Sequence, residues 1–230
     1  MKEFNKQGII FLGDTHGNFD VVKKICQQVE NFAIIHVGDV GLGFNSFKTE
    51  NEILTKKLQP CCSLNNNDLF FLRGNHDSKK RFGQFRSNDL QHIIFPDDYE
   101  SVKINDKIFL FVGGATSIDR NGRAPEISYW EDESVVFQRD KCTKCDVLVT
   151  HTSPSWCFPQ AFNEMVYGWA REDAYLLEDL NEERAIMDEI CKLCNPELHV
   201  YGHFHSSWSE KINNCTHRLL SINEAWEFRA

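Results

Sequence analysis

Five short apolar runs in this chain end on the same kind of punctuation, a small residue followed by Asp, Asn or His. They are GIIFLGDTHGN from residue 8, FAIIHVGD from 32, DLFFLRGNHD from 68, CDVLVTHTSP from 145 and ELHVYGHFH from 197. Each run is too short for a core helix and is rich in β-branched and aromatic residues, so it reads as a buried strand. Between the first two, FDVVKKICQQVE carries Phe19, Val22, Cys26 and Val29 at helical spacing, with Asn18 or Asp20 as a cap. Strand and helix alternate as in an α/β protein. In open α/β sheets ligands gather at the carboxyl ends of the strands, so five polar strand ends should converge. They carry Asp14 and His16, Asp39, Asn75 and His76, His151, and His203 and His205.

The rest of the chain surrounds this pattern without breaking it. FKTENEILTKKL is a weaker helix, YESVKINDKIFLFVGG reads as a hairpin turning at Asn105-Asp106, and 117–141 reads as loop. Residues 172–194 carry Leu176, Leu177, Leu180, Ile186, Met187 and Ile190 on one helical stripe, and the tail predicts a hairpin turning at Asn213-Asn214. With no repeat, low-complexity tract or linker, residues 1–230 are expected to form one domain. A net charge of -9 argues against nonspecific nucleic-acid binding. The N-terminus has no signal-peptide pattern and no segment reaches bilayer-spanning length, so the expectation is a soluble, cytoplasmic protein without a membrane partner.

Nine cysteines include two C-x-x-C pairs, Cys142 with Cys145 and Cys191 with Cys194. The spacing suits zinc, but the pairs lie too far apart for a compact zinc module, and Cys191 and Cys194 also fit the apolar face of a helix. The reading taken is reduced thiols. His36, His92, His199 and His217 read as structural histidines, and Asp77 as a cap or turn residue.

The converging donors are carboxylate, imidazole and one amide oxygen, a set that suits Mn, Fe, Zn or Ni and contains no thiolate. Seven are too many for one ion. They suit two ions sharing a carboxylate at a separation of about 3.5–4 Å, which clamps both oxygens of an in-line displacement at phosphorus.

GDTHG, GDVG, GNHD, VTHTSP and GHFH, in that order from about residue 8 to 206, resemble the motif series of the calcineurin-like metallophosphoesterases. The resemblance implies a four-layer α/β/β/α sandwich with loop insertions near the active site and a dinuclear centre. By motif, Asp14, His16 and His205 would hold one ion, Asn75, His151 and His203 the other, and Asp39 would bridge. Two divalent ions, Mn foremost, are the expected cofactors. GGATSID is similar to a segment of small bacterial and phage members. The protein-phosphatase branch carries Asp-Arg-Gly after its second Gly-Asp, whereas this chain reads GDVGLGF and lacks that phosphate-clamping arginine.

The implied activity is hydrolysis of phosphate mono- or diesters, nucleotides among them, by metal-activated hydroxide, and the alternative is a noncatalytic scaffold on the same fold. His76 is assigned as general acid for the leaving group and Arg73, of the RGNH motif, as a clamp on the phosphate oxygens. Two segments stand where a substrate would be read: SIDRNGRAPEISYWEDE, with Arg120 and Arg123, and SPSWCFPQAFNEMVYGWARED, with Trp156, Phe158, Phe162, Tyr167 and Trp169. They read either as a hydrophobic cluster packing a long loop or as a cap that stacks a base and holds a phosphate.

Overall fold

A computed structural model describes residues 1–88 and 90–228. The first polar strand end follows β2 (Gly8–Leu12), after a short edge strand β1 (Lys2–Phe4). Then come α1 (Phe19–Gln28), β3 (Phe32–His36), a helical run of α2 (Phe47–Glu52) and α3 (Gln59–Leu64), and β4 (Asp68–Phe71). Next are α4 (Lys79–Arg86), β5 (Ile93–Ile94) and the hairpin β6 (Glu100–Ile104) and β7 (Lys107–Val112). The C-terminal part holds β8 (Val147–Thr150), α5 (Glu164–Trp169), α6 (Leu176–Cys194), β9 (Leu198–Tyr201), the hairpin β10 (Trp208–Ile212) and β11 (Cys215–Leu219), and β12 (Ala225–Phe228).

Among the described residues these strands form two sheets, ordered β12-β2-β3-β4-β5 and β1-β6-β7-β8-β9-β11-β10. Strand alternation then decides the layers. Ile9, Phe11, Ala33, Ile35 and Phe70 point from the first sheet onto Phe109, Phe111, Val147, Val149 and Val200 of the second, making a core between the sheets. Their neighbours Ile10, Leu12, Ile34, Leu69 and Phe71 face the other way, against Val22 and Cys26 of α1 and Phe82 and Phe85 of α4. On the far side, Met187, Ile190 and Cys194 of α6 cover Leu110, Val112 and Leu148. The result is the expected helix, sheet, sheet, helix sandwich.

Several boundaries differ from the sequence reading, each for a local reason. The helix predicted over 47–58 continues to Leu64 through a π-helical stretch, Ile53–Leu58. Pro60, which cannot donate a backbone hydrogen bond, sits in the first turn after it, where a widened ladder accommodates the missing donor. Helix α4 was not anticipated, since KKRFGQFR has few apolar positions; Ser78 caps it by accepting from Arg81 N at 3.3 Å. β1 and β12 are edge strands whose pairing with β6 and β2 is supplied by the tertiary fold. Helix α6 begins at Leu176 and not at residue 172. No helix among the described residues is long and apolar enough to cross a membrane.

Candidate active site

The carboxyl ends of β2, β3, β4, β8 and β9 meet at one edge of the sandwich, and the seven predicted donors meet with them. Asp14, His16, Asp39 and His205 present ligand atoms all within 4.8 Å of one another. His205 Nε2 lies 3.3 Å from Asp14 Oδ2 and 3.1 Å from His16 Nε2. A second group stands beside it: Asn75 Oδ1 is 3.0 Å from both His151 Nε2 and His203 Nδ1. Asp39 belongs to both, with Oδ1 3.2 Å from His151 Nε2 and Oδ2 3.9 Å from His16 Nδ1. This oxygen and nitrogen donor set, free of thiolate, fits hard-to-borderline divalent ions.

Placing these side chains costs backbone strain. His16, Asp39, His203 and His205 all have positive φ, at 45°, 56°, 71° and 50°, a region that non-glycine residues seldom occupy. The adjoining glycines give way to ligands arriving from other strands. A Cβ on Gly74 would stand 2.2 Å from Asp39 Oδ1, and one on Gly202 would stand 2.3 Å from Asp14 Oδ1. At these two strand ends the glycine before the polar cluster is therefore a space requirement.

Partners behind the donors fix their orientation. His151 Nδ1 donates to Val37 O at 2.9 Å, which leaves Nε2 to face the site. Burial opposes charge on His151, but the Asp39 carboxylate outweighs it and raises the imidazole to about 9. Burial likewise opposes charge on Asp39, yet His151 holds that carboxyl well below the usual range. Ser117 Oγ accepts from Asn75 Nδ2 at 2.9 Å and donates to Glu133 Oε2 at 2.7 Å. In its ionised form Glu133 can only accept, so the chain of bonds then sets which end of the Asn75 amide faces the histidines. Ser117 thus gives GGATSID a purpose, with Thr116 beside it bound to Glu183 Oε2 at 2.8 Å.

Asp77 does more than cap a turn. Its buried carboxylate accepts from the backbone N–H groups of Val40, Gly41, Leu42 and Gly74, at 3.1, 2.7, 2.9 and 2.9 Å. It pins the loop carrying Asp39 to the loop carrying Asn75. Its place in GNHD was the only hint in the sequence.

Arg73 is a correction. Its guanidinium turns from the site, Nη1 donating to Glu133 O at 2.8 Å and Nη2 to Gly113 O at 3.2 Å, with Asp98 Oδ2 at 3.4 Å. Carbonyls and a carboxylate already claim the donors that were expected to hold phosphate. Arg123 stands in the site instead: Nη2 donates to His76 Nε2 at 2.7 Å and Nη1 to Ser117 Oγ at 3.0 Å, with Asp119 Oδ1 at 2.6 Å. Arg120, grouped with it in the sequence, pairs with Asp173 and Asp179 and holds the insertion together. His76 therefore accepts a hydrogen bond in a crowded place. Burial lowers its pKa to about 4, the Asp39 carboxylate opposing and Arg123 reinforcing the shift.

A cavity of about 640 Å³ opens from His16, Asp39, Asn75 and His76. Its far wall is apolar, with Phe158, Phe162, Met165, Trp169 and Phe204. In the second insertion Val166 packs with Leu176 and Leu180 as a small core, as the hydrophobic-cluster reading expects, and the neighbouring Phe158, Phe162 and Trp169 line the cavity. Among the described residues the C-x-x-C pairs do not gather into one ligand set within 4.8 Å, although the Cys142 and Cys145 thiols both lie against Cys194.

Glu133 supplies a test of this supporting network. Burial raises its carboxyl to about 7, against the hydrogen bonds from Ser117 that lower it. Since the folded value lies above the ordinary 4.5, the stabilisation is fully present below about pH 4.5 and is lost as pH rises through about 7. The amount is on the order of 3 kcal/mol. Glu133→Gln should erase that slope. Urea unfolding at pH 5 and pH 8 should show the variant gaining on the wild type at the higher pH, and a difference independent of pH would refute the assignment.

The site can be set beside known proteins. The sequence profile of the calcineurin-like phosphoesterases matches residues 8–207. A Haemophilus influenzae protein described as uncharacterized is 37% identical over 71 residues, 31% of this chain and 26% of that protein. The matched stretch thus spans about a quarter of the curated relative's length. Among solved structures, a phosphopantetheinyl hydrolase from Mycobacterium tuberculosis aligns with a TM-score of 0.50 at 12% identity, over 95% of this chain and 90% of that one. A candidate 5'-nucleotidase from Staphylococcus aureus, solved with α-ketoglutarate, also gives 0.50 at 13% identity, over 96% of this chain and 50% of that one. At these identities the structural likeness speaks for the fold. With the profile matched across all five strand ends, the chain belongs to the calcineurin-like phosphoesterase family, whose members depend on metal ions.

Proposed function

We infer that this protein hydrolyses small-molecule phosphate esters with two divalent metal ions held in the two donor groups that share Asp39. The observation that carries the reading is the sharing itself: one buried carboxylate has an oxygen toward each of two donor sets, at the mouth of a cavity. Asp14, His16 and His205 would complete one ion's shell, and Asn75, His151 and His203 the other's. When bound, the ions would supply Lewis acidity and an activated water. Mn heads the candidate metals, as the donor set suits it.

The chain's own residues supply orientation and proton control. Arg123 can exchange its bond to His76 for phosphate oxygens, presenting a planar pair of donors. His76, released by that exchange and placed beside an anion, is in position to carry a proton to the leaving oxygen. The apolar wall of Phe158, Phe162, Trp169 and Phe204 suits a leaving group with a flat or apolar body, a class that includes nucleotides. The likeness to a candidate 5'-nucleotidase points the same way. Nine free cysteines suit a reducing, cytoplasmic compartment.

Purified protein stripped of metal and reloaded with Mn should bind two ions per chain and hydrolyse members of a panel of monoesters, diesters and nucleotides. One ion or none, or no metal-dependent turnover on any class, would sink the reading. Within that panel, Arg123→Ala should raise KM and weaken inhibition by inorganic phosphate by about 10–100-fold, the value of one or two charge-assisted hydrogen bonds. Arg73→Ala should instead lower the melting temperature, because it leaves buried carbonyls unpaired. The reverse pattern would restore Arg73 to the phosphate.

A further inference from the structure

A second set of ligating side chains lies on the outer face of the seven-stranded sheet, under α6. His199 and His217 are direct register partners on the parallel strands β9 and β11. Their Nδ1 atoms stand 3.1 Å apart. Cys157, in the loop after β8, completes a buried group whose ligand atoms all lie within 4.8 Å of one another. Tetrahedral zinc at its usual bond lengths would separate two imidazole nitrogens by about 3.4 Å and a nitrogen from a thiolate by about 3.6 Å.

The hydrogen bonds assign the tautomer. Thr150 Oγ1 donates to Thr152 O at 2.5 Å, and a carbonyl can only accept. The hydroxyl proton is therefore committed, and His199 Nε2, 2.7 Å from the same oxygen, must be the donor to it. His199 Nδ1 then carries a lone pair aimed at His217. An oriented imidazole backed by a hydroxyl on its other nitrogen is the arrangement that supports metal ligands. Beside His217 lies a cavity of about 320 Å³, which Cys191 and Cys215 also line.

We propose that Cys157, His199 and His217 form a separate zinc-class site, with water from this cavity as the fourth ligand. The mixed thiolate and imidazole set favours a borderline-soft ion, in contrast to the thiolate-free active site. Binding forms a Zn–S bond and releases the Cys157 proton to solvent, while His217 shifts its proton from Nδ1 to Nε2, so no oxidant or reductant is required. Burial pushes the Cys157 thiol up, so affinity should fall as the solution is acidified. The site would tie β9 and β11 to the loop that leads into Phe158, and so brace the wall of the substrate cavity.

The test uses the whole protein, stripped of metal and titrated with Co²⁺ and then Zn²⁺. Cobalt should give a thiolate charge-transfer absorption that zinc abolishes. Asp39→Asn combined with His205→Ala, which weakens the active-site pair, should keep this absorption and one tightly held equivalent, so the outcome does not depend on the phosphoesterase reading. Cys157→Ala should lose the absorption and that equivalent. His217→Gln, a second route if the cysteine variant folds poorly, should weaken zinc binding by about a hundredfold or more, and Thr150→Val by about 10–100-fold. Cobalt bound without a thiolate signature, or a signature that survives in both Cys157→Ala and His217→Gln, would overturn the proposal, the latter placing the thiolate among Cys142, Cys145 and Cys194.

Discussion

Asp39→Asn should abolish binding of the metal pair as a pair and lower turnover by at least about a thousandfold, a loss of about 4 kcal/mol in transition-state stabilisation. The carboxylate sits between the two donor groups, with Oδ1 on the His151 side and Oδ2 on the His16 side. An amide offers one oxygen and no negative charge, so at most one ion keeps its ligand. The variant should also release His151 from its raised pKa, since the Asp39 charge is what holds it there against burial. His205→Ala removes a ligand from one group only, at a half-exposed position, and should cost less. Metal analysis and kinetics on both variants, with circular dichroism to confirm the fold, give the comparison. Two ions retained in Asp39→Asn with turnover near wild type would show that the groups do not share it.

The donors were legible in the sequence because their signal is local. A strand must end somewhere, and a carboxylate or imidazole at five such ends is visible without knowing how the sheets pack. The tautomer and amide orientations were not, because they are set by residues distant in the chain: Val37 for His151, and Ser117 with Glu133 for Asn75. Arg73 and Arg123 mark the limit most clearly. Both are arginines near polar motifs, but only the fold reveals that carbonyls of Gly113 and Glu133 consume the first. The insertion brings the second within 2.7 Å of His76. The same limit hid Cys157 and His217, 60 residues apart in the chain and in one cluster in the structure. Edge strands β1 and β12 were missed for a related reason: three or four residues carry too little pattern until a partner strand is present.

His76→Ala should keep both ions and the fold while slowing turnover by about 100–10,000-fold, the range of general acid catalysis. None of the seven proposed ligands is removed, and the backbone N–H of residue 76, which donates to Asp39 Oδ1 at 2.7 Å, survives the substitution. The loss should depend on the substrate. An alkyl phosphate departs as a strongly basic alkoxide and needs the proton, whereas a p-nitrophenyl ester leaves as a stable phenolate and needs little help. Arg123 complicates the resting state, since its donor faces Nε2 and helps keep the imidazole neutral. A phosphate dianion drawing that guanidinium away would remove the depressing charge and add a favourable one, so the proton is acquired with the substrate. Arg123→Ala takes away the same depressing charge without removing the acid, so it should weaken phosphate binding on both esters alike and keep the leaving-group dependence, and, because the two side chains touch, the double variant should depart from the product of the two single losses. Rates on both substrates for the four proteins, with metal content, decide it. Equal losses on the two esters, accompanied by loss of metal, would make His76 a support for the metal ligands and leave the leaving group to be protonated by water.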